Sequence, residues 1–215
     1  MNEMQCSGVY PNLKCTVGPQ NWDAPPTAAW SFTAPTPTDL VVQLRSGDVS
    51  AWDKAHDHIA ERAEVDGYQY PEDFGVDFWL EYDFLIQPGD PVTSEWCVLG
   101  QLHPMNVQAS PGWAHDFGGN VFRVIVRNNP DRPQILFEDA KWVRGQWYHF
   151  LEHFRWGVNG CCNVWRDGVE IVKYAGALGY ADTVGPYFKF GIYRDPSPET
   201  LIVQYKSLKI GPTSS

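Results

Sequence analysis

From Asp39 onward the chain breaks into short runs in which apolar and polar residues alternate with a period of two: 40–44, 78–86, 96–103, 121–127, 134–137, 147–156, 163–166, 170–174, 187–193 and 201–210. Period two sends successive side chains to opposite faces, so each run predicts a half-buried β-strand. Turn-forming clusters separate them, among them Pro88-Gly89-Asp90, Asn128-Asn129-Pro130, Arg166-Asp167-Gly168 and Asp195-Pro196-Ser197-Pro198. Many short strands with hairpin punctuation predict an all-β sandwich or jelly roll of two curved antiparallel sheets. Residues 1–38 are rich in Pro, Gly, Thr and Asn, with Trp22 and Trp30 as isolated anchors, and predict an extended arm packed on a domain of residues 39–215. One stretch departs from the pattern. Residues 50–64 read locally as a helix, with Ser50 as cap and Asp53 three residues on.

The run 185–194 is the most suggestive of chemistry. As a strand it turns Phe188, Phe190 and Ile192 to one face and Tyr187, Lys189, Gly191 and Tyr193 to the other. A lysine and two phenols around a glycine read as the floor of a groove, the glycine leaving room for a ligand on the backbone. Two further clusters precede it, Arg62-Ala63-Glu64-Val65 and Gln101-Leu102-His103. With these three motifs in this order, the chain resembles the jelly-roll polysaccharide lyases. The alginate lyases carry Arg-x-Glu-Leu/Val, Gln-x-His and Tyr-Phe-Lys-x-Gly-x-Tyr segments in the same sequence. The closing Ile192-Tyr193-Arg194 is more similar to the heparin and glucuronan lyases, and Leu102 stands where alginate lyases often have Ile and the other branch often has Trp. The resemblance spans residues 40–211, including Gln146-Trp147-Tyr148-His149 and Val164-Trp165-Arg166-Asp167-Gly168-Val169. It implies a concanavalin A-like β-jelly roll. It also places Arg62 and Glu64 on a strand, so a loop or short helical turn is expected over 52–59 and a strand from near Glu61.

Breaking a uronate polymer by β-elimination needs the C6 carboxylate neutralised, a base for the C5 proton and an acid for the departing O4. The motifs supply candidates for each. Arg62 and Gln101 form a carboxylate clamp. His103, on Gln101's face, is the first candidate base, and Tyr193 the candidate proton donor. Lys189, on Tyr193's face, would lower the phenol's pKa or hold an adjacent carboxylate. Glu64 would orient Arg62, while Tyr187, Arg194, Arg123 and Arg127 complete the substrate-binding set. Where H5 and O4 lie on one side of the ring, one tyrosine can serve as both base and acid; where they lie opposite, His103 and Tyr193 divide the work. A hydrolase is not implied, because Asp77, Glu81 and Asp83, the nearest acidic cluster, read as a solvated sheet face. The alternative from another class is a non-catalytic carbohydrate-binding module or lectin, which has no need of a histidine beside a tyrosine. A structural attachment protein retaining a decayed cleft is a third.

Composition adjusts this picture. At 215 residues an all-β chain forms one domain. Aromatic content is 14%, with ten tryptophans, an excess suited to a large core or a carbohydrate cleft. The net charge of -10 argues against nucleic acid and acidic membranes as partners, so an anionic polysaccharide would require basic residues gathered locally, with Arg62, Lys189 and Arg194 as candidates. Five cysteines are an odd number without paired CxxC spacing; Cys6 and Cys15 bracket a short loop that an oxidising setting could close. Cys161 and Cys162 would point to opposite strand faces, at most one entering the core. Asp53, His56, Asp57 and His58 are weak as metal ligands and read as a polar loop, and His149 and His153 read as packing or solvent-facing. No metal site and no obligatory cofactor are expected, although a structural calcium is compatible with the fold. No secretory signal or membrane span is visible, and an extracellular monomer is expected, its signal removed or its export virion-associated.

Overall fold

The computed structural model describes residues 1–106, 108–129 and 132–213; Pro130 of the predicted 128–130 turn lies outside them. The strands are β1 (Asn2–Ser7), β2 (Lys14–Val17), β3 (Gln20–Trp22), β4 (Phe32–Thr36), β5 (Asp39–Leu44), β6 (Glu61–Asp66), β7 (Asp77–Ile86) and β8 (Cys97–His103). They continue as β9 (Trp113–Asp116), β10 (Phe122–Val126), β11 (Gln134–Asp139), β12 (Tyr148–Arg155), β13 (Cys161–Arg166), β14 (Val169–Ala175), β15 (Tyr187–Arg194) and β16 (Leu201–Gly211). Among the described residues a single short α-helix, α1 (Ala51–Ala55), interrupts them before β6. The Ser50 hydroxyl accepts from the Asp53 amide at its start, as a helix cap does.

The strands form a β-jelly-roll sandwich of two antiparallel sheets. One runs β14-β13-β12-β7-β16-β1-β2-β3, with β5 on β16 and β4 on β5; the other runs β11-β10-β9-β8-β15-β6. Residues 1–38 contribute β1 to β4. Within the β1–β2 hairpin, Cys6 stands directly opposite Cys15, and the two are disulfide-bonded. Cys162 enters the core while Cys161 stays on the other face, as the alternation predicts.

The core lies between the sheets and follows from the period-two pattern. Along β7, Phe78, Leu80, Tyr82 and Phe84 point inward. From the opposing sheet come Trp113, Phe122, Val124, Phe188, Phe190 and Ile192. Trp113 meets Phe154 edge-on at 5.0 Å, and Phe190 meets Tyr205 at 4.9 Å. A buried polar link crosses the same layer. His115 of β9 lies 3.1 Å from Glu152 of β12, which also accepts from the Tyr82 hydroxyl at 3.0 Å. Because Trp113 is fully buried, replacing it by alanine is expected to destabilise the fold by about 3–5 kcal/mol in denaturant unfolding. A cost below about 1 kcal/mol would mean that the sheets do not meet there.

Candidate active site

The face of the six-stranded sheet turned away from the core forms the floor of a groove of about 1650 Å³. Alternation along β15 puts Tyr187, Lys189, Gly191 and Tyr193 on that floor. The register then sets their neighbours. On one side, β6 places Arg62 opposite Tyr193 and Glu64 opposite Gly191. On the other, β8 places Gln101 opposite Lys189 and His103 opposite Tyr187. Arg62, Glu64, Gln101, His103, Tyr187, Lys189 and Tyr193, from three separate motifs, therefore line one groove.

Glu64 is the hub of this arrangement. Only 3% exposed, it accepts from Gln101 Nε2 at 2.5 Å and pairs with Lys189 Nζ at 3.2 Å and Arg62 at 3.6 Å. Burial acts to raise its pKa, but the positive charges of Lys189 and Arg62 and the Gln101 amide outweigh it and hold the carboxyl below its usual value. A carboxylate only accepts, so Gln101 must turn its amide nitrogen to Glu64, and its second amide hydrogen remains for a ligand.

Arg62 has a second anchor. Asp53 of α1, fully buried, receives Arg62 at 3.0 Å and is itself bound by the Ser50 hydroxyl at 2.5 Å. The carboxylate that holds the capping hydroxyl thus also aims the guanidinium, a link that the Ser50–Asp53 cap pattern signals only in part. Arg62 in turn lies over the Tyr193 ring, 4.0 Å from its centroid, with Trp96 packed at 4.8 Å on the same ring. Burial raises the Tyr193 pKa above that of an ordinary phenol, against the opposing effect of Arg62, so the hydroxyl carries its proton at neutral pH. Trp52, 58% exposed and stacked on His56 at 4.2 Å, stands at the rim.

His103 is held as a neutral imidazole. Its Nδ1 lies 2.8 Å from the Pro104 carbonyl oxygen. A carbonyl only accepts, so Nδ1 holds the hydrogen and Nε2 keeps its lone pair. Burial, reinforced by the charge of Lys189, pushes its pKa down to about 4, leaving the imidazole neutral at neutral pH. Tyr187 packs edge-on against Tyr68 at 5.2 Å and lies 5.4 Å from His103.

Several expectations need correction. Arg194 does not face the groove. It shares the parity of Phe188, Phe190 and Ile192, is fully buried, and is bound by Glu61 at 2.7 Å and by the Glu199 carbonyl at 2.8 Å. The cation beside Tyr193 is Arg62 rather than Lys189, which is drawn to Glu64. Gly191 has φ +137°, and a Cβ there would stand 2.3 Å from the Ala63 carbonyl oxygen, so the glycine admits β6 rather than a ligand. Arg123 lines the groove but is engaged by Asp116 at 3.0 Å and Glu138 at 2.9 Å, while Arg127 donates to the Pro111 carbonyl at 3.0 Å. The expected local reversal of charge is also missing: the described lining carries Arg62, Arg123, Arg127 and Lys189 against Asp23, Glu64, Asp66, Glu95 and Asp116. For Arg194 the correction is testable. Arg194→Met leaves Glu61 buried without its cation, the Gly47 amide alone remaining on it, and is expected to cost about 3–5 kcal/mol of stability with KM unchanged; a raised KM at unchanged stability would return Arg194 to the substrate.

The family model described as Polysaccharide lyase matches residues 32–209. Among solved structures, the chain is similar to the endo-β-1,4-glucuronan lyase from the fungus Trichoderma reesei, with a TM-score of 0.62 and 14% identity over 85% of this chain and 86% of that one. It is similar to alginate lyase AlyC3, TM-score 0.62 and 14% identity, over 98% of this chain and 89% of that one. Alginate lyase A1-II′ gives a TM-score of 0.63 and 13% identity over 99% of this chain and 95% of that one. At such identities these likenesses carry the fold alone. A comparison with curated protein sequences finds no match. The family match runs from β4 into β16 and so takes in every strand of the groove floor; this chain belongs to the polysaccharide lyase family, and the protein is a polysaccharide lyase.

Proposed function

We propose that the enzyme cleaves a linear, uronate-containing acidic polysaccharide, of the glucuronan, alginate or glycosaminoglycan kind, from within the chain by β-elimination. The observation that carries this reading is the protonation pattern of the groove. A neutral imidazole with a free Nε2 and a protonated phenol stand on one floor with an arginine and an amide hydrogen between them. A sugar carboxylate held by Arg62 and the free amide hydrogen of Gln101 loses much of its negative charge, which acidifies the adjacent C5 proton. Glu64 ties Arg62 to Gln101, so Tyr193 flanks the clamp on the Arg62 side and His103 on the Gln101 side. Removal of the C5 proton forms the C4–C5 double bond, the C4–O4 bond breaks, and Tyr193 gives its proton to O4. His103 is the base where H5 and O4 lie on opposite sides of the ring; where they lie on the same side, Tyr193 serves both steps only as its tyrosinate, which takes H5 and returns that proton to O4.

The groove is lined from β6 through Ile135 of β11, across the whole sheet, which suits an internal stretch of polymer. Lys189, Arg123 and Arg127 also line it, each already held by a protein carboxylate or carbonyl. Solved structures of alginate lyase A1-II′ variants hold substrate or product, and an oligosaccharide of that general class fits this reading. The reaction as drawn uses side chains alone. A monomer working outside the cell, with neither nucleic acid nor membrane as partner, is proposed with it; the Cys6–Cys15 disulfide supports an oxidising location. No described helix is long and apolar enough to cross a membrane.

Two outcomes test the reading. Incubation with polyuronates should raise absorbance near ~235 nm, where the new double bond absorbs, and Tyr193→Phe should lower that rate by roughly 10²–10⁴-fold while polymer affinity persists; unchanged turnover in the variant would refute the assignment. On a polymer whose H5 and O4 lie on opposite sides of the ring, kcat/KM should hold from neutral pH downward and fall only as His103 protonates, near its pKa of about 4. An acid limb centred near the ordinary histidine value of about 6.5 would contradict the buried, neutral imidazole.

A further inference from the structure

On the opposite side of the molecule, the outward face of the ten-stranded sheet carries a second cluster that is independent of the lyase reading. Asp77 of β7 lies far along the chain from His153 of β12 and Cys161 of β13, yet the register stacks them. Arg155 is paired with both Asp77 and Cys161, and His153 is the next outward residue along β12. We propose that Asp77, His153 and Cys161 form a binding site for one thiophilic divalent transition-metal ion of the zinc class.

Three observations lead there. First, one potential ligand atom from each residue lies within 4.8 Å of the others. The His153 ring is 2.9 Å from the Asp77 carboxylate through Nε2 and 3.9 Å from Cys161 Sγ through Nδ1. One ion takes only one of the two ring nitrogens, and neighbouring ligands on a tetrahedral zinc with bonds of about 2.0–2.3 Å stand roughly 3.3–3.7 Å apart, so from a spread of up to 4.8 Å the cluster closes by at most about 1.5 Å to hold it. Second, the ring is already oriented. Trp79 stacks on His153 at 4.2 Å and an angle of 18°, which removes the rotamer freedom that a surface histidine would lose on binding. Asn163 adds a further amide group 3.2 Å from Nδ1. Third, all three residues are partly exposed, so an ion can reach them.

The donor set selects the ion. A thiolate with an imidazole and a single carboxylate is a poor match for calcium or magnesium, which take oxygen ligands, and a good one for zinc, cobalt or copper. Arg155 is bound to the second carboxylate oxygen of Asp77 at 2.5 Å, leaving Oδ1 to the site and offsetting one of its negative charges. Binding displaces the thiol proton, so affinity rises with pH. An ion here would tie β7, β12 and β13 across the sheet and stabilise the fold by mass action.

The test is titration of the reduced, full-length protein with Co²⁺. The expected result is one ion per chain, with a sulfur-to-cobalt charge-transfer band in the near ultraviolet that added Zn²⁺ abolishes, and a rise in thermal midpoint with Zn²⁺. Cys97 and Cys162 are buried, so Cys161→Ser should remove the band, and Asp77→Asn should weaken binding at least tenfold. Turnover of polyuronate should be unaffected in both variants. Absence of a charge-transfer band in the wild-type protein, or its persistence in Cys161→Ser, would overturn the proposal.

Discussion

The candidate site depends on one buried carboxylate. Glu64 sits at 3% exposure on β6, the edge strand of the groove floor, where burial alone would favour its neutral form. Its charge persists because Lys189, Arg62 and Gln101 converge on it from β15, from its own strand and from β8. The dependence runs both ways. Lys189, itself 6% exposed, would be a buried unpaired ammonium without Glu64, Arg62 would keep only Asp53, and the Gln101 amide would lose the acceptor that sets its orientation. Backbone geometry makes the convergence feasible. Gly191 lets β6 approach β15 directly opposite Glu64, and the Tyr205 hydroxyl, reaching from the other sheet, bonds the Leu99 and Gly191 carbonyls where the β8–β15 register shifts.

That arrangement bears on how an acidic protein could handle the acidic polymer proposed for it. With five carboxylates against four arginine and lysine side chains along the described lining, the groove does not act as a broad positive field. Most of the cations are already directed at protein carboxylates or carbonyls. Recognition would then rest on a few aimed donors, above all the Arg62 guanidinium and the second amide hydrogen of Gln101, and less on long-range attraction. On the proposed function, such a site would read the position of a carboxylate more than the charge density of a chain.

Much of the fold was legible in the sequence because period two survives wherever one strand face is wet. β5, β7, β12, β15 and β16 all lie close to their predicted spans. β9 was missed for a physical reason: Trp113, Ala114, His115 and Asp116 are all buried, on the core side and beneath the groove alike, so no alternation marks the strand. The three motifs and their shared groove were legible too, through the parity of β15. Arg194 shows the limit of reading charge without parity, since its neighbours Phe190 and Ile192 already implied a core-facing position. What the sequence hides is cross-strand chemistry. The second anchor of Arg62 at Asp53, and the meeting of Asp77, His153 and Cys161, exist only once helix packing and strand register are set.

The central claim is that Glu64 stays ionised in the buried floor of the groove. It can be measured directly by following the Glu64 side-chain carboxyl carbon by NMR through an acid titration of the native protein. The account predicts a midpoint below the ordinary value of 4.5, because two cations and an amide hold the charge. A midpoint above that value would mean that burial prevails, and that Arg62, Lys189 and Gln101 are not organised by this carboxylate.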